Sequence, residues 1–515
     1  MTYSRTDRHV DIKVLSTDLL AERLDVARAD GLRIAMCHGV FDLLHPGHLR
    51  HLAHARELAD VLVVSITADR FVNKGPGRPA FTEDLRAEAL ASLESVDFVM
   101  ITPDATALPA ISAIKPNFYV KGGDYVDEDA DVTGNIRRER ELVVSVGGEL
   151  VHTNEIVFSS SELINRYLPQ HSDAASEWIA RIREQFSIDE VQAWLDRIAA
   201  LRVVAVGETI IDVYTQCEAL GKASKDPVLC LSRGPSVSHA GGILAVAGHS
   251  AGLGATTTVI TGINHRNHED PELGLLRERG VDVRAVDINP RPTIRKERLI
   301  DSRTGSPVLE IYDMDDSPLP LEEEKKFIRK IIDAATNADV VIVADYGHGL
   351  ISDASIKALT DLPLFLAVNT QVNAGNRGFN SVSRYPRADF VTLNGLEAGL
   401  EVRRRHVDLG TFIPALQVTL GATGILVTLG GAGLDHYSQD GSISHAPALA
   451  PFVTDRVGAG DAVLTITALL ASVDAPPVLI GFLGNLVGAW AVSFRGNEQS
   501  LDRAALSKAI LATLK

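Results

Sequence analysis

Short apolar segments alternate with helix-like segments through the first third of the chain. The short runs are rich in valine, isoleucine and leucine, and apolar residues recur at helical spacing between them. We predict buried strands at 32–36, 61–66, 98–101 and 118–120, separated by helices near 49–59, 82–94 and 105–114. This alternation is typical of a parallel sheet covered by helices on both faces, which binds ligands at the carboxyl ends of its strands.

A second α/β pattern begins near residue 201. We predict strands at 202–207, 257–261, 340–344, 364–368, 390–393 and 425–429, and a small β-rich insertion over 212–235 and 292–312. Residues 168–200 are polar with a helical pattern, which is compatible with a packed connector and with a subunit contact. We therefore predict two α/β domains, at 1–167 and 201–515, joined by a helical linker at 168–200.

The composition narrows the class of protein. A chain of 515 residues is too long for one ordinary core, so at least two domains are expected. The net charge of −17 argues against a general nucleic-acid binder. The three cysteines lack metal-site spacing, and the sequence has neither a signal-like start nor an apolar run of membrane-spanning length. We expect a cytoplasmic location with no membrane association.

Residues 38–51 carry candidate phosphate chemistry. They run from a predicted strand into a helix start, where His45 and His48 flank a proline and a glycine. A helix N-terminus offers unpaired N–H groups and a positive dipole end, and two imidazoles would add donors. We predict that this turn neutralises charge on a leaving pyrophosphate. Two surface histidines at an ordinary turn are the alternative.

Three further stretches are placed to meet the same ligand. The loop 74–79 combines glycines, prolines and two cations, and is compatible with a cover over the substrate and with an ordinary solvated loop. Residues 121–125 follow a predicted strand, so they should lie at the same sheet edge. The serines at 159–161 precede a predicted helix, where they would cap it and would also be able to bind phosphate.

The order of these motifs resembles the HxGH nucleotidyltransferase superfamily over about residues 30–167. The sequence Lys-Gly-Gly-Asp-Tyr at 121–125 is more similar to the adenylyltransferase domain of the bifunctional heptose-phosphate kinase/adenylyltransferases than to glycerol-3-phosphate cytidylyltransferases. The resemblance implies phosphate stabilisation by His45 and His48 and triphosphate or sugar-phosphate contacts by Lys74 and Arg86. It further implies a nucleotide site formed by Gly39, Phe41, Arg86, Asp124, Ser159, Ser160 and Ser161.

The stretch 455–462 predicts a second phosphate site. Gly458 and Gly460 precede an apolar helix, so backbone N–H groups there can approach a phosphate closely. The carboxylate of Asp461 beside them can accept the proton of a hydroxyl as phosphoryl transfer begins.

This stretch resembles the GAGD motif of the ribokinase (PfkB) family of sugar kinases, and three further patterns follow that family's order. The resemblance implies that Asp461 is the catalytic base and that Glu397 helps to organise Mg²⁺. It implies nucleotide binding by Asn394, Glu397, Thr419, Gly421, Gly424, Gly458 and Gly460, and sugar binding by Asp212, Gly241, Gly242 and Asp345.

The kinase half departs from the heptose enzymes at three points. Its domain follows the transferase instead of preceding it, Ala245 replaces an asparagine, and the stretch around Asn369 replaces Asp-Pro-Lys. Lost polar contacts are compatible with a different acceptor and with a weakened kinase, because buried polar groups set specificity for hydroxyls. The intact Asp461 and its glycines favour a working kinase.

We therefore expect a bifunctional sugar-activating enzyme. It would phosphorylate a sugar or sugar phosphate with ATP and Mg²⁺, and transfer a nucleotidyl group from ATP, or secondarily CTP, to a sugar 1-phosphate. One alternative is a cytidylyltransferase for a polyol or sugar phosphate with a regulatory kinase-like domain, and another is an assembly role without activity. The expected partners are small molecules and other copies of the chain, in a homodimer or higher homo-oligomer.

Overall fold

A computed structural model describes residues 13–72, 78–122, 135–153, 171–264, 271–376, 378–404 and 407–514. The chain divides into two compact units. The first is Met1–Gln170 with Ser507–Thr513 and Lys515, and the second is His171–Leu506 with Leu514. The helices predicted within 168–200 belong to the second unit, at Asp173–Gln185 and Ile188–Ala199.

The first unit is built on a five-stranded parallel sheet in the order β3-β2-β1-β4-β5. Its apolar runs form strands because both faces are covered, and β2 is buried at every residue. The strands are β1 (Ile34–Gly39), β2 (Val61–Thr67), β3 (Phe98–Thr102), β4 (Phe118–Gly122) and β5 (Glu149–Thr153). The helices are α1 (Thr17–Ala29), α2 (Pro46–Leu58), α3 (Glu83–Ala91), α4 (Leu108–Ile114) and α5 (Asn135–Ser145).

This sheet confirms the predicted α/β fold, and its order places the candidate site. The strands β1 and β4 are neighbours although they are far apart in sequence, so the strand order reverses between them. Ligands bind at such switch points, beyond the carboxyl ends of the strands. The turn from β1 to α2 begins at this point.

The second unit contains a nine-stranded sheet in the order β10-β9-β6-β13-β14-β15-β16-β17-β18. It is parallel as far as β16, and β17 and β18 extend it antiparallel. Its strands are β6 (Arg202–Gly207), β9 (Thr256–Ile263), β10 (Asp282–Asp287), β13 (Val340–Asp345), β14 (Phe365–Thr370), β15 (Phe390–Asn394), β16 (Gly424–Thr428), β17 (Leu434–Ser438) and β18 (Ile443–Ala446).

Helices flank this sheet on its two faces, as predicted for an α/β domain. Two of them, Ala459–Ser472 (α14) and Pro477–Ala491 (α15), are apolar almost all round because they lie in the interior. No helix in the described part of the chain is both long and apolar enough to cross a bilayer. The helices are α6 (Asp173–Gln185), α7 (Ile188–Ala199), α8 (Ile243–Gly252), α9 (Pro271–Glu278), α10 (Leu321–Ala335), α11 (Asp353–Thr360), α12 (Gly395–Glu401), α13 (Leu409–Leu420), α14 (Ala459–Ser472), α15 (Pro477–Ala491) and α16 (Arg503–Leu514).

The predicted β-rich insertion is a separate four-stranded sheet. Its order is β12-β11-β7-β8, with β7 (Thr209–Lys222), β8 (Leu229–Gly242), β11 (Ile294–Asp301) and β12 (Pro307–Asp313). In its register Asp212 of β7 lies opposite Lys296 of β11, and Lys296 lies opposite Tyr312 of β12. The insertion therefore brings the Asp212 carboxylate, the Lys296 ammonium and the Tyr312 ring into one row across three strands.

Candidate active sites

His45 ends the β1–α2 turn and caps α2. Its Nδ1 accepts a hydrogen bond from the backbone N–H of Gly47 at 3.1 Å, so the proton of the neutral ring lies on Nε2. Burial lowers the pKa of His45, which favours that neutral form. Nε2 is buried and has no hydrogen-bond partner among the described residues. A buried donor at a helix N-terminus is suited to an anionic oxygen.

The His48 ring lies against the His45 ring, with centroids 3.9 Å apart. On another side, Phe41 packs 5.1 Å from His48 between ring centroids. Phe41 has a left-handed backbone, with φ of 51°, and a side chain on Gly39 would approach its ring to 3.2 Å. The structure thus groups all four of these predicted residues at one turn.

Asp42 fastens the end of the glycine-proline loop to this turn. Its carboxylate forms a buried ion pair with Arg78 at 3.0 Å and accepts the backbone N–H groups of Ala80 and Phe81. Asp42 was not among the predicted site residues, although it lies within the stretch 38–51. The three donors to Asp42 all belong to the loop end, so Asp42 holds that end against the turn.

Arg86 has a different role from the predicted phosphate contact. The side chain is 2% exposed, and it donates to the backbone oxygens of Val40, Phe81 and Thr67 and to the Asp69 carboxylate. These bonds direct the guanidinium into the domain. Arg86 therefore supports the turn and the loop from beneath, which corrects the role that the resemblance implies.

The other predicted residues of this site lie outside the described residues. They are Lys74, Asp124, Ser159, Ser160 and Ser161. Lys121, which lies at the end of β4 shortly before Asp124 in sequence, forms a 3.0 Å ion pair with Glu139.

The second candidate site lies at the start of α14. Gly458 caps the helix with a left-handed backbone, φ of 81°, and Asp461 lies in its first turn. Asp461 is 5% exposed and accepts hydrogen bonds from the Tyr346 hydroxyl at 2.6 Å and from Gln371 Nε2 at 3.0 Å. Burial raises the pKa of Asp461 to about 7. A carboxylate with a pKa near 7 is matched to general-base catalysis at neutral pH.

Asp212 faces this site from the small sheet. It pairs with Arg298 at 2.6 Å, and Asp212 and Lys296 shift the pKa of Asp461 in opposite directions. Gly241 leaves room for the Asp212 carboxylate, because a Cβ at Gly241 would lie 2.1 Å from Asp212 Oδ2. The backbone of Gly242 is left-handed where β8 ends and α8 begins. The predicted sugar-side residues Asp212, Gly241 and Gly242 are therefore adjacent.

Asp345 differs from the predicted sugar contact. It is fully buried, and its carboxylate accepts hydrogen bonds from the Tyr385 hydroxyl, the Asn380 amide and the backbone N–H of Gly347. These contacts fix the segment after β13. This corrects the role that the resemblance implies, and the next residue, Tyr346, is the one that reaches Asp461.

Asn394 and Glu397 form a reciprocal capping box at the start of α12. Glu397 Oε2 accepts the Asn394 N–H and Oε1 accepts the Val372 N–H, while burial raises the pKa of Glu397 to about 7. Each oxygen keeps a second lone pair, which fits a magnesium ion held mainly by nucleotide phosphates. The described residues contain no group of three His, Cys, Asp or Glu arranged to hold a metal.

Two of the residues for which the resemblance implies nucleotide binding, Thr419 and Gly421, lie on a helix and at its end. Thr419 lies on the exposed side of α13, where its hydroxyl bonds to the Ala415 carbonyl, and Gly421 ends that helix in a left-handed conformation. The letters Val-Thr-Leu-Gly recur at 427–430, and this second copy ends β16 and turns into β17. Gly424 begins β16. The residues buried before and within the copy at 418–421, namely 413, 416, 417 and 420, follow helical spacing. This spacing distinguishes that copy from the strand copy at 427–430.

Two family models match separate parts of the chain. The model of the pfkB family carbohydrate kinases matches residues 200–503, and the Cytidylyltransferase-like model matches residues 36–166. The chain belongs to the pfkB family of carbohydrate kinases and carries a cytidylyltransferase-like domain ahead of the kinase domain.

Similar curated proteins match the N-terminal part of the chain. The bifunctional protein HldE of Nitrobacter hamburgensis is 46% identical over 154 residues, 29% of this chain and 30% of that protein. HldE of Vibrio cholerae is 40% identical over 160 residues, 30% of this chain and 32% of that protein. The chain spans about a third of the length of each relative.

Solved structures are similar to the kinase part. The tetrameric inhibited form of phosphofructokinase-2 from Escherichia coli has a TM-score of 0.50 and 15% identity, over 61% of this chain and 100% of that chain. A mutant of the same enzyme has a TM-score of 0.50 and 17% identity, over the same shares. At these identities the likeness shows the fold.

Proposed function

We propose that the chain is a bifunctional sugar-activating enzyme. The observation that carries the proposal is that one chain has two built helix N-termini, one lined by His45 and His48 and the other by Asp461. Each offers N–H groups to phosphate and adds the side chains that its own reaction needs.

In the kinase reaction, a hydroxyl oxygen of the acceptor attacks the γ-phosphorus of ATP and ADP leaves. Asp461 takes the hydroxyl proton, and the N–H groups after Gly458 face the transferring phosphoryl group. Asp212 binds acceptor hydroxyls. Magnesium would be held by the nucleotide phosphates with Glu397 beside them, where it neutralises phosphate charge.

In the transferase reaction, a phosphate oxygen of a sugar 1-phosphate attacks the α-phosphorus of a nucleoside triphosphate and pyrophosphate leaves. The attacking oxygen is already anionic, so the protein needs only to position the groups and neutralise charge. His45 donates from Nε2, and His48 lies against it. ATP is the proposed donor and CTP the second, with Lys74, Asp124 and Ser159–161 as further proposed contacts.

Pyrophosphate release tests the transferase proposal. ATP, CTP, GTP and UTP would each be offered with heptose 1-phosphate, other sugar 1-phosphates and glycerol 3-phosphate. Turnover with ATP and a sugar 1-phosphate supports the proposal, whereas turnover restricted to CTP and a polyol phosphate supports the cytidylyltransferase alternative. No release with any pair would contradict both.

A regulatory kinase-like domain is the second candidate. The side-chain amide of Asn369, in the stretch that departs from the heptose enzymes, donates to the Thr392 carbonyl at 2.8 Å and so serves the sheet. ADP formation with a panel of sugars and sugar phosphates, lost in Asp461→Asn, would exclude this candidate.

A further inference from the structure

One oxygen of Asp461 accepts both side-chain hydrogen bonds. The Tyr346 hydroxyl and the Gln371 amide both donate to Oδ1, at 2.6 and 3.0 Å. Among the described residues, none donates a hydrogen bond to Oδ2. The carboxylate is thus held through one oxygen, which leaves the other for an acceptor hydroxyl.

The two donors are fastened to each other. The Asn376 amide donates to the carbonyls of both Tyr346 and Gln371, at 2.9 and 2.8 Å. The Gln371 N–H also donates to the carbonyl of Asp345, the residue before Tyr346. These bonds fix the backbone from which both side chains extend, so the two donors reach Asp461 from fixed positions and hold its carboxylate in one orientation.

We propose that Tyr346 and Gln371 are positioning residues that hold Asp461 through Oδ1 so that Oδ2 faces the acceptor hydroxyl. This rests on the proposed kinase function and adds two residues to it. Gln371 lies next to the stretch that departs from the Asp-Pro-Lys of the heptose enzymes. The donor to Asp461 therefore follows directly after the stretch that departs from the heptose enzymes.

The charged surroundings set the direction of the pH effects. Burial raises the pKa of Asp461, as does Asp212 on β7, whereas Tyr346, Lys296 on β11 and Gln371 lower it. A donor stabilises the ionised carboxylate, so removing one raises the pKa further. A donor to a charged group is typically worth about one pH unit or more.

The first test needs no turnover. The three tryptophans, Trp178, Trp194 and Trp490, all lie in the second unit, so their fluorescence reports its unfolding in the full chain. A buried aspartate whose pKa is raised in the folded protein contributes most to the free energy of unfolding at low pH. It loses that contribution as the pH rises toward its folded-state pKa. The free energy of unfolding of wild type minus that of D461N should therefore decrease as the pH rises to about 7 and stay constant at higher pH.

Y346F and Gln371→Leu would each be compared with the double variant that also carries D461N. In both comparisons the difference in free energy of unfolding should keep decreasing to a pH about one unit higher than in wild type. Tyr385→Phe is the matched control, because it removes an equally buried hydroxyl from Asp345. It should destabilise the unit but level at the wild-type pH. If the difference in free energy of unfolding becomes constant at the same pH as in wild type in both Y346F and Gln371→Leu, the proposal is overturned.

The second test uses turnover and separates the two claims. With any acceptor that gives ADP, the acid limb of kcat/KM should move up by about one pH unit in Y346F and Gln371→Leu and stay in place in Tyr385→Phe. If the variants turn over but the acid limb of their kcat/KM profile does not move, the positioning roles are overturned and the proposed kinase function stands. If no acceptor gives ADP, the proposed kinase fails, and the stability test still decides the hydrogen bonds.

Discussion

Asp42 and Arg78 form a buried ion pair, 3.0 Å from Oδ2 to Nη1, that joins the β1–α2 turn to the loop before α3. The other oxygen of Asp42 accepts two backbone N–H groups of the same loop. Removing one partner of a buried pair leaves an unpaired charge, which is strongly destabilising. The pair therefore holds the loop against the turn that carries His45 and His48.

We expect Asp42→Asn to destabilise the first unit by about 3 kcal/mol. Hydrogen exchange of the full chain should show lost protection at the amides of Ala80 and Phe81. Asp25→Asn is the control, because Asp25 pairs with Arg28 at the surface and should change stability by less than about 1 kcal/mol. Unchanged protection at 80–81 would show that the pair does not hold the loop.

His45→Asn should separate the capping role of His45 from its donor role. Asparagine is a good N-cap, so the variant keeps an acceptor for the Gly47 N–H, but it loses the Nε2 donor. We expect thermal stability within about 0.5 kcal/mol of wild type and pyrophosphate release lowered by about 10²-fold or more. Its matched control is His54→Ala, which removes a histidine further along the same helix and should leave pyrophosphate release unchanged.

Release within a few fold of wild type in His45→Asn would contradict the donor role. A large loss of stability would contradict the capping assignment. The two readouts are independent, so each result identifies which role fails.

Gly241→Ala should damage the kinase alone. The added Cβ would lie 2.1 Å from the Asp212 carboxylate, so Asp212 must move away from Arg298. We expect kcat/KM for the acceptor to fall at least about tenfold, because misplaced binding groups lose transition-state stabilisation. Pyrophosphate release should be unaffected.

Gly274→Ala is the control for this prediction. Its added Cβ would meet nothing within 4 Å on helix α9, so kinase activity should be retained. Equal activity in Gly241→Ala and Gly274→Ala would show that the position of Asp212 does not matter to the acceptor.

The sequence predicts the strands and the positions of the motif residues, but it does not predict the tertiary contacts of the sites. The strands could be predicted because short apolar runs alternate with helical segments, a pattern that specifies a parallel sheet. His45 and His48 follow a predicted strand, and Asp461 with its glycines stands at a predicted helix start. Local spacing is enough to place such residues at a sheet edge.

The roles of Arg86 and Gln371 could not be predicted from the sequence. The partners of Arg86 are backbone carbonyls up to 46 residues away, and Gln371 lies 90 residues from Asp461. The two Val-Thr-Leu-Gly copies differ only in the helical or strand pattern around them. Each of these cases depends on the tertiary packing, which a local motif does not contain.

The most direct test of two independent activities is to measure ADP and pyrophosphate formation in the same two variants. The account predicts that Asp461→Asn loses ADP formation with the acceptor and keeps pyrophosphate release, while His48→Ala loses pyrophosphate release and keeps ADP formation. Loss of both activities in either variant, with the fold intact, or loss of neither, would contradict a chain with two separate catalytic sites.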